Sequence, residues 1–168
     1  FKGFKGNFTT EIMVGPSMYQ REIDHGIVIL ATGAQEYKPT EFLYGEDDRV
    51  ITHLELDRRL YESGADDLER GVMVQCVGSR NEENPNCSRI CCQSAVKNAL
   101  QIKKLNPETD VFILYRDIRT YGIMEEYYRE ARRLGVLFFR FDKDHPPQVE
   151  STENGLMVRF KDHVLQRE

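Results

Sequence analysis

Four cysteines, Cys76, Cys87, Cys91 and Cys92, carry the chemistry this sequence offers. Their spacing, C-x10-C-x3-C-C, brings three of them close together around one loop. Thiolates are nucleophiles and soft metal ligands, and four of them is the number that a [2Fe–2S] or [4Fe–4S] cluster takes. A cubane is the preferred reading, with all four as ligands. Structural zinc remains open, although the paired C-x2-C knuckles usual for it are missing. Two disulfides would need an oxidising compartment, and four buried thiols with no joint role are the plain alternative. None of the four histidines lies near the cysteines in sequence, and no Ser/His/Asp set or paired carboxylates stand out. No residue is therefore expected to act as a catalytic acid or base.

The surrounding elements must bring these thiols together. Gly71-Val72-Met73-Val74-Gln75-Cys76 reads as a strand, Val77 to Asn86 as a polar loop, and about Ser88 to Leu105 as a helix with Ala95, Val96, Ala99 and Ile102 on its apolar face. Asp110 to Tyr115 is a second strand. A helix carrying Met124, Tyr127, Tyr128, Ala131 and Leu134 ends at Gly135, and Val136 to Phe141 is a third strand. This β-α-β-α-β order predicts an α/β fold, a Rossmann-like parallel sheet with right-handed crossovers and flanking antiparallel strands. In such a sheet the carboxyl end of one strand meets the amino end of the next helix. Exposed helix N–H groups there favour thiolates and anionic clusters.

Upstream, residues 1–24 alternate loosely and predict short antiparallel strands. Gly26 to Ala34 is a continuous apolar run, expected to form a buried strand. Thr52-His53-Leu54-Glu55 is a capping box, with Ile51 and Leu56 as staple residues and Gly64 as stop. Gln148 to Thr152 and Leu156 to Phe160 flank Glu153-Asn154-Gly155 as a hairpin. The expected division is 1–47, β-strands and the Ala-Thr-Gly strand, and 48–168, the Rossmann-like domain with the four-cysteine site. The first residues, Phe1-Lys2-Gly3, and the strand-rich end suggest a piece of a longer protein.

Composition excludes other classes. Hydrophobic residues make up 40% and charged residues 30%, so the chain can bury a core. Its net charge of −5 comes from acids and bases mixed along the chain, which argues against nucleic acid. The longest apolar run, Ile27 to Ala31, is far too short to span a membrane. The first Rossmann turn lacks G-x-G-x-x-G and has Cys76-Val77-Gly78-Ser79-Arg80 in its place, so ordinary NAD(P) binding is not expected. Arg116 and Arg119 could grip a phosphate, but solvated surface arginines are the favoured reading.

Taken together, the Gly26 to Ala34 run, Tyr44-Gly45-Glu46-Asp47, Gln75 to Arg80, Cys87-Ser88-Arg89-Ile90-Cys91-Cys92 and Tyr115 to Gly122 resemble the A-type flavoprotein subunits of heterodisulfide reductase and their relatives in sulfate reducers. The resemblance implies a thioredoxin-reductase-like flavoprotein whose modified second dinucleotide domain holds a [4Fe–4S] cluster on Cys76, Cys87, Cys91 and Cys92. It implies that residues 1–47 end a first FAD-domain segment, with Thr32 and Gly33 beside FAD. It implies an oxidoreductase in the cytoplasm that passes electrons between flavin, cluster and other subunits of a heterodisulfide-reductase-like or quinone-interacting complex. The alternatives are a zinc-stapled subunit-docking module and an NAD(P)-binding domain of a related flavoprotein.

Overall fold

The computed structural model describes residues 1–153 and 155–167, and its chain divides into two compact units, Phe1–Glu36 and Tyr37–Glu168. The first unit is an antiparallel sheet of β1 (Lys2–Phe4), β2 (Asn7–Val14) and β3 (Tyr19–His25) in the order β1-β2-β3. Alternating side chains and the Gly15-Pro16-Ser17-Met18 turn, closed by Met18 N–H to the Gly15 carbonyl at 3.1 Å, fold β2 onto β3. Thr9 and Thr10 bridge to Asp24 and His25 across that pair.

The expected strand over Gly26 to Ala34 does not form. Ile27 to Ala34 pairs with no described strand, and Ile29 and Leu30 are 80% and 82% exposed. A β-branched run becomes a strand only where a neighbouring ladder takes up its N–H and C=O groups.

In the second unit, α1 (His53–Ser63) starts at the capping box as expected. Thr52 accepts from the Glu55 N–H, while the Glu55 carboxylate accepts from the Thr52 N–H at 2.7 Å. Then β4 (Arg70–Val74), α2 (Cys91–Leu105), β5 (Asp110–Tyr115), α3 (Met124–Arg133) and β6 (Leu137–Arg140) follow. The three strands form a parallel sheet in the order β4-β5-β6, half of a doubly wound fold.

The alternation of β5 explains the layering. Val111 and Ile113 point to one face and join Ala95, Val96, Ala99 and Ile102 of α2, Leu60 of α1, and Ala131 of α3 in one core. The even positions face the other way, where Phe112 stacks on Phe139, and Phe139 packs at 5.1 Å against Phe160. β7 (Gln148–Thr152) and β8 (Gly155–Arg159) form the expected hairpin, whose predicted turn residue Asn154 lies outside the described residues.

Two element boundaries differ from the sequence expectation at one place. β4 stops at Val74 and α2 begins at Cys91, so Cys76 and Ser88 both belong to the intervening loop. The reason is backbone geometry. Cys76 and Arg89 have φ of 66° and 62°, left-handed values that neither strand nor right-handed helix accepts.

The packing makes two stability predictions, both readable as urea midpoints. Ile113→Ala, at a fully buried position, should cost about 2–5 kcal/mol. Thr52→Ala should cost about 1 kcal/mol through loss of its cap.

Candidate metal centre

The site lies where β4 leaves the sheet. Gln75 N–H makes a last ladder bond to the Leu114 carbonyl at 2.9 Å, after which Cys76 turns into the left-handed region. The loop closes with Ser79 N–H to the Cys76 carbonyl at 3.2 Å and Arg80 N–H to the Asn86 carbonyl at 3.3 Å. Gly78 is fixed here for a steric reason: its φ is 66°, and a Cβ would land on the Tyr37 ring.

All four cysteines are free thiols. Cys91 and Cys92 open α2, whose N-cap residue Ile90 contributes no side-chain hydrogen bond. The Cys91 thiol is pushed down to about 5. Its largest cause is a hydrogen bond from the Cys92 thiol, helped by the Ser88 hydroxyl at 3.4 Å, the Cys76 backbone N–H and nearby His53, with burial opposing. The Cys92 thiol is pushed up, because it is the donor of that pair and is itself buried. Cys92 Sγ also lies 3.6 Å from the Asp117 carbonyl oxygen.

Cys76 joins this pair electrostatically. Burial, then the neighbouring Cys91, push its thiol up, while the Arg80 guanidinium, whose Nη1 is 3.9 Å from Sγ, acts in the opposite sense. Cys87 stands apart: its sulfur accepts from the Arg89 N–H at 3.3 Å and borders a cavity of about 420 Å³ lined also by Arg80, Pro85, Asn86, Arg89 and Arg119. Among the described residues no three His, Cys, Asp or Glu side chains already stand at metal-binding distances. Cys91 and Cys92 interact with each other and with Cys76, and Cys87 borders an arginine-lined cavity.

Thr32 and Gly33 belong to the other unit. Both are exposed, and Gly33 has a φ of 71° with open space where a side chain would be.

Sequence distance hid His53. It is the first residue of α1, and its ring lies close enough to Cys91 for the thiolate and imidazole to interact. Its two ring nitrogens lie 3.5 Å from the side-chain nitrogens of Gln75 and Asn98, both buried, whose carboxamide oxygens have no partner. Burial pushes the imidazole below its ordinary value and keeps it neutral. The sequence does hold a signal for it: positions 53, 56 and 60 share one helical face, which aims His53 into the same interior as Leu56 and Leu60.

No protein-family model matches the chain. It is similar to curated A-type subunits of heterodisulfide reductases. The A-type subunit of an H2:CoB-CoM heterodisulfide,ferredoxin reductase from Methanothermobacter marburgensis is 39% identical over 163 aligned residues, covering 86% of this chain and 24% of that protein. The A-type iron-sulfur subunit of a CoB–CoM heterodisulfide reductase from Methanocaldococcus jannaschii is 40% identical, covering 83% and 24%. The A-type subunit of a ferredoxin:CoB-CoM heterodisulfide reductase from Methanosarcina acetivorans is 35% identical, covering 87% and 23%.

Two measurements on metal-free protein follow from this electrostatic arrangement. Iodoacetamide at about pH 6.5 should label Cys91 ahead of Cys76 and Cys92 by peptide mass spectrometry, and Ser88→Ala should slow that labelling. His53 has a depressed folded pKa, so the stability it supports is full above its unfolded value of about 6.5 and falls as pH drops through the folded one. Urea midpoints should therefore decline on acidification from about pH 7, and His53→Gln should flatten that decline.

Proposed function

The chain belongs to the family of A-type subunits of heterodisulfide reductase, spanning about a quarter of the length of the curated relatives it matches, and from that membership we propose an electron-transfer role centred on the four cysteines. In this reading Cys76, Cys87, Cys91 and Cys92 hold a [4Fe–4S] cluster. When bound, the cluster supplies one-electron uptake and release.

The observation that carries the reading is the convergence of Cys76, Cys91 and Cys92 where β4 and α2 meet. The donor set suits an anionic thiolate-bound group: hydrogen bonds push the Cys91 thiol below its ordinary value, α2 contributes uncapped N–H groups, and arginines surround the fourth thiol. The residues present fit a thiolate cluster provided that Cys87 swings inward. Its place on a loop, between Pro85-Asn86 and the left-handed Arg89, leaves that movement to a few backbone torsions. The Ser88 hydroxyl and the Cys76 N–H hold Cys91 in its ionised form, and His53 stays neutral against it.

FAD is the second cofactor of the proposal, with Thr32 and Gly33 against it. The open left-handed turn at Gly33 supports a close backbone approach. The chain carries no glycine-rich phosphate loop, so residues 1–47 are assigned a contact with the flavin, as the end of its domain, and residues 48–168 the cluster domain. Partners would be other subunits of a heterodisulfide-reductase-like complex, as the subunit designations of the relatives suggest, with a quinone-interacting complex as the alternative. No described helix is long and apolar enough to cross a membrane, and a cytoplasmic setting is proposed.

Anaerobic reconstitution with iron and sulfide tests the assignment. Wild type should bind both in stoichiometric amounts and give a cubane EPR signal on reduction. Serine at each of the four cysteine positions should diminish or alter that signal, and four variants with normal clusters would overturn the ligand set. Stoichiometric zinc after anaerobic, iron-replete purification would favour a docking module instead.

A further inference from the structure

The loop between β4 and α2 fixes one charged side chain more firmly than its position between strand and helix requires. Arg80 has a left-handed backbone, with φ of 59°. Its N–H donates to the Asn86 carbonyl at 3.3 Å, and its carbonyl accepts from Arg116 Nη1 at 2.9 Å. Its side chain is only 19% exposed and reaches two places: Nη2 donates to Asp117 Oδ2 at 2.7 Å, and Nη1 stands 3.9 Å from Cys76 Sγ. Arg140 supports Asp117 from the other side at 3.6 Å, and the carbonyl of Asp117 faces Cys92 Sγ. The Arg80–Asp117 pair thus touches the sulfur of one thiol and the residue that holds another.

A surface ion pair alone would contribute little. This one is unusual because its cation is mostly buried and turned toward a sulfur, and a non-glycine residue keeps a costly backbone conformation to hold it there. Arg89 and Arg119, which line the cavity at Cys87, form no described ion pair, so the positive field is not confined to Arg80. A guanidinium remains protonated at every working pH, which makes it a fixed rather than switchable charge.

We propose that Arg80 sets the reduction potential of the cluster by holding a permanent positive charge beside the sulfur of Cys76, a charge that Asp117 partly cancels. The inference rests on the cluster assignment above. Reduction adds one electron from an external one-electron donor to the bound group, with no bond made or broken, so the site gains one negative charge. A cation beside a ligand sulfur stabilises the reduced form more than the oxidised form, and the low effective dielectric of a partly buried position strengthens that preference. Asp117 cancels part of that charge, while Arg80 keeps its place through its backbone bonds to Asn86 and Arg116.

EPR-monitored redox titration of the reconstituted protein, with dithionite as reductant, tests this in wild type, Arg80→Gln, Arg80→Lys and Asp117→Asn. Iron and sulfide analysis accompanies each titration. Arg80→Gln should disfavour reduction about tenfold, a fall of about 59 mV for one electron. Asp117→Asn should shift the potential upward, and Arg80→Lys, which keeps the charge, should lie closer to wild type than Arg80→Gln does. A merely structural role would not produce shifts of opposite sign. Normal iron content with unshifted potentials, or shifts in the same direction for Arg80→Gln and Asp117→Asn, would overturn the proposal alone. If Arg80→Gln binds no iron, the upward shift of Asp117→Asn decides. Absence of iron from wild type would overturn the cluster assignment and this proposal with it.

Discussion

The cysteine site depends on one backbone event, the left-handed turn of Cys76 immediately after the last ladder bond of β4. Up to Gln75 the chain is held by its parallel neighbour β5, and its direction is that of the sheet. At Cys76 the positive φ turns the chain out of the sheet, and the Cys76 N–H becomes a donor to the Cys91 sulfur. A strand that continued through Cys76 would spend that N–H elsewhere. The same turn begins the loop whose return brings Cys91 and Cys92 to the start of α2. In a nucleotide-binding unit a short glycine loop at this point exposes backbone donors to phosphate. Here a longer loop exposes backbone donors to sulfur, and the helix terminus favours negative charge in both cases.

Beneath this turn lies a polar layer inside an otherwise apolar interior. His53, Gln75 and Asn98 come from α1, the end of β4 and the middle of α2, so each element bordering the site contributes one member. Asn98 also donates to the His53 carbonyl at 3.3 Å, which ties the first turn of α1 to α2. A neutral imidazole has one donor and one acceptor nitrogen, so it cannot accept from both carboxamides. Turning one amide over would pair its orphaned oxygen with the imidazole N–H and leave the other amide as donor, which satisfies one of the two unpartnered oxygens. Buried polar layers of this kind specify a unique arrangement more than they add stability. Here that arrangement fixes α1 and α2 relative to the strand end that carries Cys76.

The frame of the second unit is legible in the sequence because its signals are local and mutually consistent. The Thr52 capping box, the apolar positions 95, 96, 99 and 102, and the Asp110 to Tyr115 run each describe one element, and the parallel sheet follows from their order. The site is legible as a set of ligands but not as a geometry. Helical periodicity carries α2 back to about Ser88, whereas Arg89 is left-handed and the Ser88 hydroxyl bonds to sulfur rather than capping a backbone N–H. The run from Gly26 to Ala34 misleads for the opposite reason: its composition favours a strand, but strand formation needs pairing partners that local sequence does not encode. His53 escapes notice because proximity along the chain says nothing of its place beside Cys91 in the fold.

Adjacent cysteines on an ideal helix point about 100° apart, which would separate Cys91 from Cys92. Here they are the first two residues of α2, preceded by the αR N-cap Ile90 and the left-handed Arg89. Their thiols interact with each other and with Cys76. The arrangement leaves two thiols that burial keeps protonated, one thiol pushed down by its donors, and left-handed conformations at Cys76, Arg80 and Arg89. Each such conformation costs of order 1–2 kcal/mol in a non-glycine residue. Metal ions bound to the sulfurs would displace both protons and offset the burial cost that otherwise keeps those thiols neutral. The remaining reorganisation is concentrated at Cys87, so the site is shaped for binding on three sides and adjustable on the fourth.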